Sequence, residues 1–171
     1  MKEVEIIIIA ALAGNNRVIG KNGKLPWPSI PEDSERFTKL TIGHAVIMGR
    51  KTWEFDLEKG YLIDRFNVVV SRDFPFPEHF QDSKDLIFVN SLSDALLAVK
   101  NFEKVYIVGG AGIYSQALGL AHKWELTIIN DEYEGDTFFP EYKFLIGDIF
   151  VLTNLEELSG YSFETYNRIV H

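Results

Sequence analysis

The sequence contains no cysteine, which excludes disulfide cross-links and thiolate-bound metal centres and suits a reducing compartment. Positive charge is also short. Seventeen Lys and Arg against 25 Asp and Glu leave a net charge of −8, so the chain lacks the basic surface that nucleic-acid binding requires. Any anionic ligand must be held by a few local cations. Long apolar runs are missing as well. The longest near the start, Ile6 to Ala13, is too short to cross a bilayer and has neither the basic leader nor the cleavage pattern of an export signal. A soluble cytoplasmic protein, with no membrane or nucleic-acid partner, is expected. The four histidines, His44, His79, His122 and His171, show no ligand spacing, so no metal site is expected.

What is present suits a packed core. With 171 residues, 46% hydrophobic and 25% charged, and without internal repeat, linker or low-complexity tract, the chain reads as one globular domain spanning residues 1–171. Ile6-Ile7-Ile8-Ile9-Ala10-Ala11-Leu12 is continuous rather than alternating, as in a strand buried on both faces. Ala45–Met48, Phe66–Val70, Leu86–Val89, Val105–Val108 and Trp124–Ile129 read as further strands. Ser91 or Ser93 caps a helix expected over 94–100. Val18 to Gly23 reads as a glycine-punctuated loop, 73–83 as an irregular loop with Pro75 and Pro77, and 132–140 as a polar turn. No helix separates the last two strands, Phe150–Thr153 and Tyr161–Val170, so they should pair antiparallel. The expected fold is α/β: a mostly parallel central sheet with antiparallel C-terminal strands, flanked by helices, with ligands at the carboxyl ends of the strands.

One stretch organises the rest. In Lys24 to Phe37, Pro26, Pro28 and Pro31 fix φ at three places. The first half is therefore a stiff loop carrying Trp27, and Pro31 opens a helix. Asp33 then lies in its first turn, near an apolar face with Phe37 and Leu40. An acid there is ordinarily stabilised by the helix dipole and does nothing more. Burial beneath the Trp27 loop would instead demand a cationic or hydrogen-bonding partner, a ligand among the candidates.

Three strand ends carry phosphate-like signals. Gly49-Arg50-Lys51-Thr52 and Ser71-Arg72 place cations and hydroxyls after strands, and Gly109-Gly110-Ala111-Gly112-Ile113 follows another. Each has a bland alternative: a solvated basic pair, or a tight turn that needs glycine for conformational reasons.

Together the motifs say more than any one. Ala11-Leu12-Ala13, Arg17-Val18-Ile19-Gly20, Leu25-Pro26-Trp27, Asp33 with Phe37, Val46 to Trp53, Val108-Gly109-Gly110, Ile113-Tyr114, and Glu134-Gly135-Asp136-Thr137 before Phe139-Pro140 closely resemble dihydrofolate reductase in order and spacing. The resemblance covers almost the whole chain. It implies hydride transfer from NADPH to dihydrofolate in a cytoplasmic, monomeric enzyme open to antifolates. It places Asp33 on the acid that binds the pterin's amidine edge and Thr127 on its hydrogen-bond partner, with Trp27 and Leu25 on the mobile loop that closes over the nicotinamide. Ile9, Ala11, Phe37, Val108 and Tyr114 fall on the pterin and nicotinamide pocket, and Arg65 on the arginine that holds the folate glutamate. Ala11, Ile19, Gly20, Gly49, Arg50, Lys51, Thr52, Ser71, Arg72, Gly109, Gly110, Ala111, Gly112, Ile113 and Tyr114 fall on the cofactor site, and Asp136 on the loop that supports the closing one. The chain departs from the family at Ile63-Asp64, where Pro-Gly usually precedes the arginine, and Asp64 is placed to pair with Arg65. It departs also at Ser34, at Ala111, in an extra residue between Trp27 and Asp33, and in extra length between Trp53 and Arg65. Two alternatives stand beside this reading: a same-fold reductase of a riboflavin-pathway pyrimidinone, and a non-catalytic pterin- or dinucleotide-binding module.

Overall fold

Apolar runs without alternation become strands covered on both sides. In the computed structural model, which describes residues 2–56, 60–73 and 83–170, the chain runs β1 (Glu5–Ala13), β2 (Val18–Gly20), α1 (Pro31–Thr41), β3 (Ala45–Gly49), α2 (Arg50–Asp56), β4 (Phe66–Val70), β5 (Leu86–Val89), α3 (Leu92–Ala98), β6 (Lys104–Gly109), α4 (Ala111–Ala117), β7 (Lys123–Ile129), β8 (Thr137–Phe138), a 3₁₀ turn (Lys143–Leu145), β9 (Phe150–Glu157) and β10 (Tyr161–Arg168). Most of the irregular loop expected over 73–83 lies outside the described residues, as do His79 and His171.

Eight strands form one sheet in the order β5-β4-β3-β6-β1-β7-β10-β9. Pairing is parallel from β5 to β7 and antiparallel where β10 joins β7 and β9 joins β10. The expected fold class is what the chain adopts. Successive residues of a strand face opposite sides, and the core divides accordingly. Ile6, Ile8, Ala45, Ile47, Val105 and Ile107 share one cluster with Leu92 and Ala95 of α3 and Ile113, Tyr114 and Ala117 of α4. Ile7, Ile9, Val46, Met48 and Tyr106 share the other with Trp53 of α2, and Phe37 and Leu40 of α1 pack against it. Each such aliphatic side chain taken out of water contributes about 1.5–3 kcal/mol.

Local signals set the helix ends. Pro31 stands at the start of α1, where its absent N–H leaves no bond unmade. Ser91 caps α3, its Oγ accepting from the Asp94 amide at 3.0 Å.

Two segments read as loop and turn are strands instead. Val18–Gly20 and Thr137–Phe138 pair antiparallel as a separate two-stranded sheet. Only three and two residues long, they carry too little sequence to show a period, and their pairing is imposed by contacts between distant parts of the chain.

Candidate active site

α1 crosses the sheet over β7, and a first-turn carboxylate meets the strand there. Leu126 and Trp124 of β7 point into the α4 side of the core, so Glu125 and Thr127 point to the α1 side. The Thr127 hydroxyl, 1% exposed, donates to Asp33 Oδ1 at 2.5 Å. Among the described residues no donor reaches Oδ2. Burial raises the proton affinity of Asp33 above the ordinary carboxylate value, while the Thr127 hydrogen bond and the Arg36 cation act against that rise.

Apolar groups wall this acid. Trp27 is buried with Ala13, Val18 and Ile129, with Ala11 and Ile30 packed on that cluster, and it meets Tyr133 edge-on at 5.7 Å. Ala11 sits opposite Thr127 in the β1–β7 register, and Ile9 lies two residues back on β1, on the same face. Leu25 stands 59% exposed on the loop that carries Trp27.

The second half of the site lies where β3 and β6 end side by side. Met48 is opposite Gly109, and α2 and α4 begin immediately beyond. A Cβ on Gly49 would stand 3.3 Å from Ile113 Cγ1, and one on Gly110 would stand 3.3 Å from Thr52 Oγ1. A side chain at either position would press on those neighbours, so the two glycines keep this corner roomier. Gly109 has φ +123°, a conformation suited to glycine, and its peptide to Gly110 is cis. Tyr114, the fourth residue of α4, donates its hydroxyl to the Ile9 carbonyl at 2.8 Å and so ties this corner to the strand beside Asp33. Arg50 lies between Glu54 at 2.7 Å, Ser71 Oγ at 3.5 Å and Asp73 at 3.7 Å. Lys51, Arg72 and Gly112 are exposed, and Ser71, at the tip of β4, is buried.

The loop of residues 132–138 packs against β2 and the turn after it. Asp136 accepts from the Asn22 amide at 2.9 Å, and Lys21 pairs with Glu134 at 3.2 Å. Gly135 is pressed against β2: a Cβ there would stand 2.3 Å from Val18 Cγ1 and 2.5 Å from the Gly20 carbonyl oxygen.

Arg65 stands apart from Asp33, beyond the other end of α1. It donates through Nε to Thr41 Oγ1 at 3.1 Å and through Nη1 to the Ile63 carbonyl at 2.7 Å. These contacts, rather than a close ion pair with Asp64, hold it, and Asp64 adds a longer-range attraction. Asp64 itself has φ +61°, in the left-handed region that favours glycine. Val108 is half-buried on β6, one residue before the glycine corner.

The motif reading passed over one cluster. Glu125 pairs with Arg36 and accepts from Thr165 at 2.8 Å. The signal was an acid inside the apolar run 124–129, with an arginine one helical turn past Asp33. Among the described residues, no group of three or more His, Cys, Asp or Glu is placed to hold a metal ion, and no helix is long and apolar enough to cross a membrane.

The arrangement has counterparts. A family model for dihydrofolate reductase matches residues 5–168. A dihydrofolate reductase of Haloferax volcanii is 38% identical over 168 residues, covering 96% of this chain and 84% of that one. One of Mus musculus is 37% identical over 179 residues, covering 90% and 92%. The solved dihydrofolate reductase from Enterococcus faecalis, complexed with NADP(H) and RAB-propyl, matches with a TM-score of 0.82 at 25% identity over 96% of each chain.

Proposed function

The chain belongs to the dihydrofolate reductase family, and from that membership we propose how its residues turn 7,8-dihydrofolate into tetrahydrofolate. The protein is an NADPH-dependent oxidoreductase. NADPH supplies the hydride that passes to the pterin ring, and a proton must reach the neighbouring ring nitrogen. Binding, orientation, exclusion of water and proton handling fall to the protein.

The residues present fit the cofactor. The corner that any Cβ on Gly49 or Gly110 would crowd admits a close backbone approach to a pyrophosphate, which Gly109, Gly110, Ala111, Gly112 and Ile113 would flank. Arg50, Lys51, Thr52, Ser71 and Arg72 would hold the adenosine phosphates. Cations gathered there on a chain of net charge −8 favour the extra phosphate of NADP over NAD. Ala11, Ile19, Gly20 and Tyr114 would border the nicotinamide.

Asp33 presents its carboxylate to the pterin's amidine edge, which offers two donors to two oxygens. The paired contact orients a flat heterocycle and raises the basicity of the ring nitrogen that accepts the proton. Thr127 fixes the carboxylate rotamer, and Ile9, Ala11, Phe37, Val108 and Tyr114 wall the ring. Leu25 and Trp27 close the loop over the site, excluding bulk water and bringing the reacting carbons toward the roughly 3–3.5 Å that transfer needs. Arg65, preset by Thr41, takes the folate glutamate carboxylate. One continuous eight-stranded sheet with its covering helices supports one domain over 1–171, and a monomer is the accompanying expectation. The absence of cysteine supports the cytoplasm, and the acidic balance argues against a nucleic-acid partner. Antifolates offering the same amidine edge would occupy the Asp33 pocket.

The observation that carries this reading is the carboxylate of Asp33, bonded to Thr127 at 2.5 Å beside a buried Trp27. A same-fold reductase of a pyrimidinone would keep the cofactor corner without needing that trio. Purified protein should oxidise NADPH with dihydrofolate and not with a riboflavin-pathway pyrimidinone. Asp33→Asn should lower the hydride-transfer rate about 100-fold or more while leaving NADPH affinity within twofold. An unchanged rate would remove Asp33 from its role.

A further inference from the structure

The second polar contact between α1 and the sheet has no part in the reaction described so far. Arg36 lies one helical turn beyond Asp33, and its guanidinium pairs with Glu125, which also accepts from Thr165 at 2.8 Å. Its Cζ stands 4.7 Å from the centre of the Phe163 ring. Phe163 and Thr165 are the β10 partners of Thr127 and Glu125, so Arg36 meets Glu125 of β7 and Phe163 of β10, and Thr165 of β10 holds the Glu125 carboxylate.

The two contacts form matched rungs. Asp33 and Arg36, three apart, share a face of α1, and Thr127 and Glu125, two apart, share a face of β7. Three helical residues rise about 4.5 Å and two strand residues span about 6.6 Å, a mismatch that side chains as long as those of Arg36 and Glu125 can bridge, so both contacts are made together. The Arg36 and Glu125 side chains are only 18% and 11% exposed. An ion pair this enclosed contributes little net stability, since apolar replacements of such pairs are often neutral or stabilising. A use other than stability is therefore the more economical account.

The groups facing Asp33 show what that use is. From its own helix come Glu32 and Arg36. From β7 come Thr127 and Glu125, and from β1 only Ile9 and Ala11. From β10 comes Tyr161, whose proton affinity is raised by burial and by the acids Glu32, Asp33 and Glu156. Burial raises Tyr106 of β6 to about 12, with Glu125 adding to the rise and Arg36 opposing it, so it stays neutral. Arg36 is the cation that favours the ionised form of Asp33 against the cost of burial.

We propose that Arg36 is a positioning residue that acts through Asp33: aimed by Glu125, Thr165 and Phe163, its guanidinium sets the pH at which Asp33 changes protonation state and hence the range over which the enzyme works. Glu125 plays two parts. It fixes the direction of the guanidinium, and it offsets enough of the charge to leave the carboxyl within reach of a proton. The inference rests on Asp33 being the acid of the proposed function.

The test is the pH dependence of single-turnover hydride transfer from NADPH to dihydrofolate in the full chain. The rate falls as pH rises because the ring nitrogen must gain a proton, and the pterin edge and the carboxyl of Asp33 bonded to it titrate as one coupled system, so a change in the proton affinity of Asp33 moves the limb. Arg36→Met removes the cation and should move that limb upward by about one pH unit. Glu125→Gln keeps an acceptor for Arg36 and Thr165 but removes the offsetting charge, and should move the limb downward. Arg36→Lys keeps the charge and should leave the limb near its wild-type position. A purely structural role would lower amplitude or melting temperature in both variants without opposite displacements. Shifts in one direction, no shift, or an Arg36→Lys limb displaced as far as that of Arg36→Met would overturn the proposal. If Arg36→Met does not fold, Glu125→Gln decides alone, and an unmoved or raised limb refutes the idea. Asp33→Asn separates the two readings. If the limb keeps its wild-type position in that variant, the role of Asp33 fails; if it is displaced there while the Arg36 and Glu125 variants leave it unmoved, only the role of Arg36 fails.

Discussion

Gly135→Ala tests how closely loop position controls the chemistry. The added methyl would stand 2.3 Å from Val18 Cγ1 and 2.5 Å from the Gly20 carbonyl oxygen, and ordinary contact begins at 3.4 Å. One of those atoms belongs to the backbone and cannot rotate away. Val18 is 1% exposed, packed with Ala13, Trp27 and Ile129, so it cannot retreat inward either. The gap must open by about 1 Å through displacement of β2 and of the Leu25–Trp27 loop that follows it. A misplacement of about that size costs on the order of 100-fold in rate, equivalent to about 2.7 kcal/mol of barrier. Stability should change little: about 1 kcal/mol at the low end for added core volume, or roughly 2–4 °C in a chain of this size. The assay is single-turnover hydride transfer at saturating NADPH and dihydrofolate, with thermal melting alongside. Wild-type transfer rates in a folded Gly135→Ala protein would show that the flap does not set the reacting geometry.

Three further outcomes follow from the site. Thr127→Val removes a hydrogen bond to a charged group, worth about 1.5–3 kcal/mol, and should lower kcat/KM for dihydrofolate by about 10–150-fold. Because that bond favours the ionised acid, its loss should also carry the pH limb upward, which a rate profile reads directly. Arg50→Ala should raise KM for NADPH well above any change in kcat and narrow the preference over NADH, since it removes a cation beside Ser71; a retained preference would place the 2′-phosphate elsewhere. Asp33→Asn should melt at or above the wild-type temperature at pH 7. Burial raises the proton affinity of Asp33 in the folded state, so its favourable linkage holds below the unfolded value near 3.8 and is lost as pH rises through the folded one. The advantage of the variant should disappear in acid, and melting curves at pH 7 and pH 4 decide it.

The parallel sheet was legible because Ile6–Leu12 and the later apolar runs are too short for helices and too continuous for one-sided strands. The Pro31 start of α1 and the Ser91 cap were legible because each rests on one residue's local chemistry. The small β2–β8 sheet was not, since its pairing residues lie more than 100 positions apart and neither run shows a period. The pairing of Asp33 with Thr127 came from family resemblance, because spacing within the chain says nothing about which strand a helix crosses. Glu125 was passed over for the opposite reason. It sits inside a run whose apolar neighbours made the strand obvious, and an acid there draws notice only once Arg36 is seen across from it.

The way the flap is moored gives the molecule two separate melting scales. Trp27's segment is tethered by a short ladder of two- and three-residue strands and by Asp136 on a backbone amide, whereas every residue of β1 pairs with β6 or β7. Local opening with so few bonds requires a small fraction of the free energy of global unfolding. If Leu25 and Trp27 close over the site as proposed, the cover would lift and reseat while the floor beneath it stays rigid.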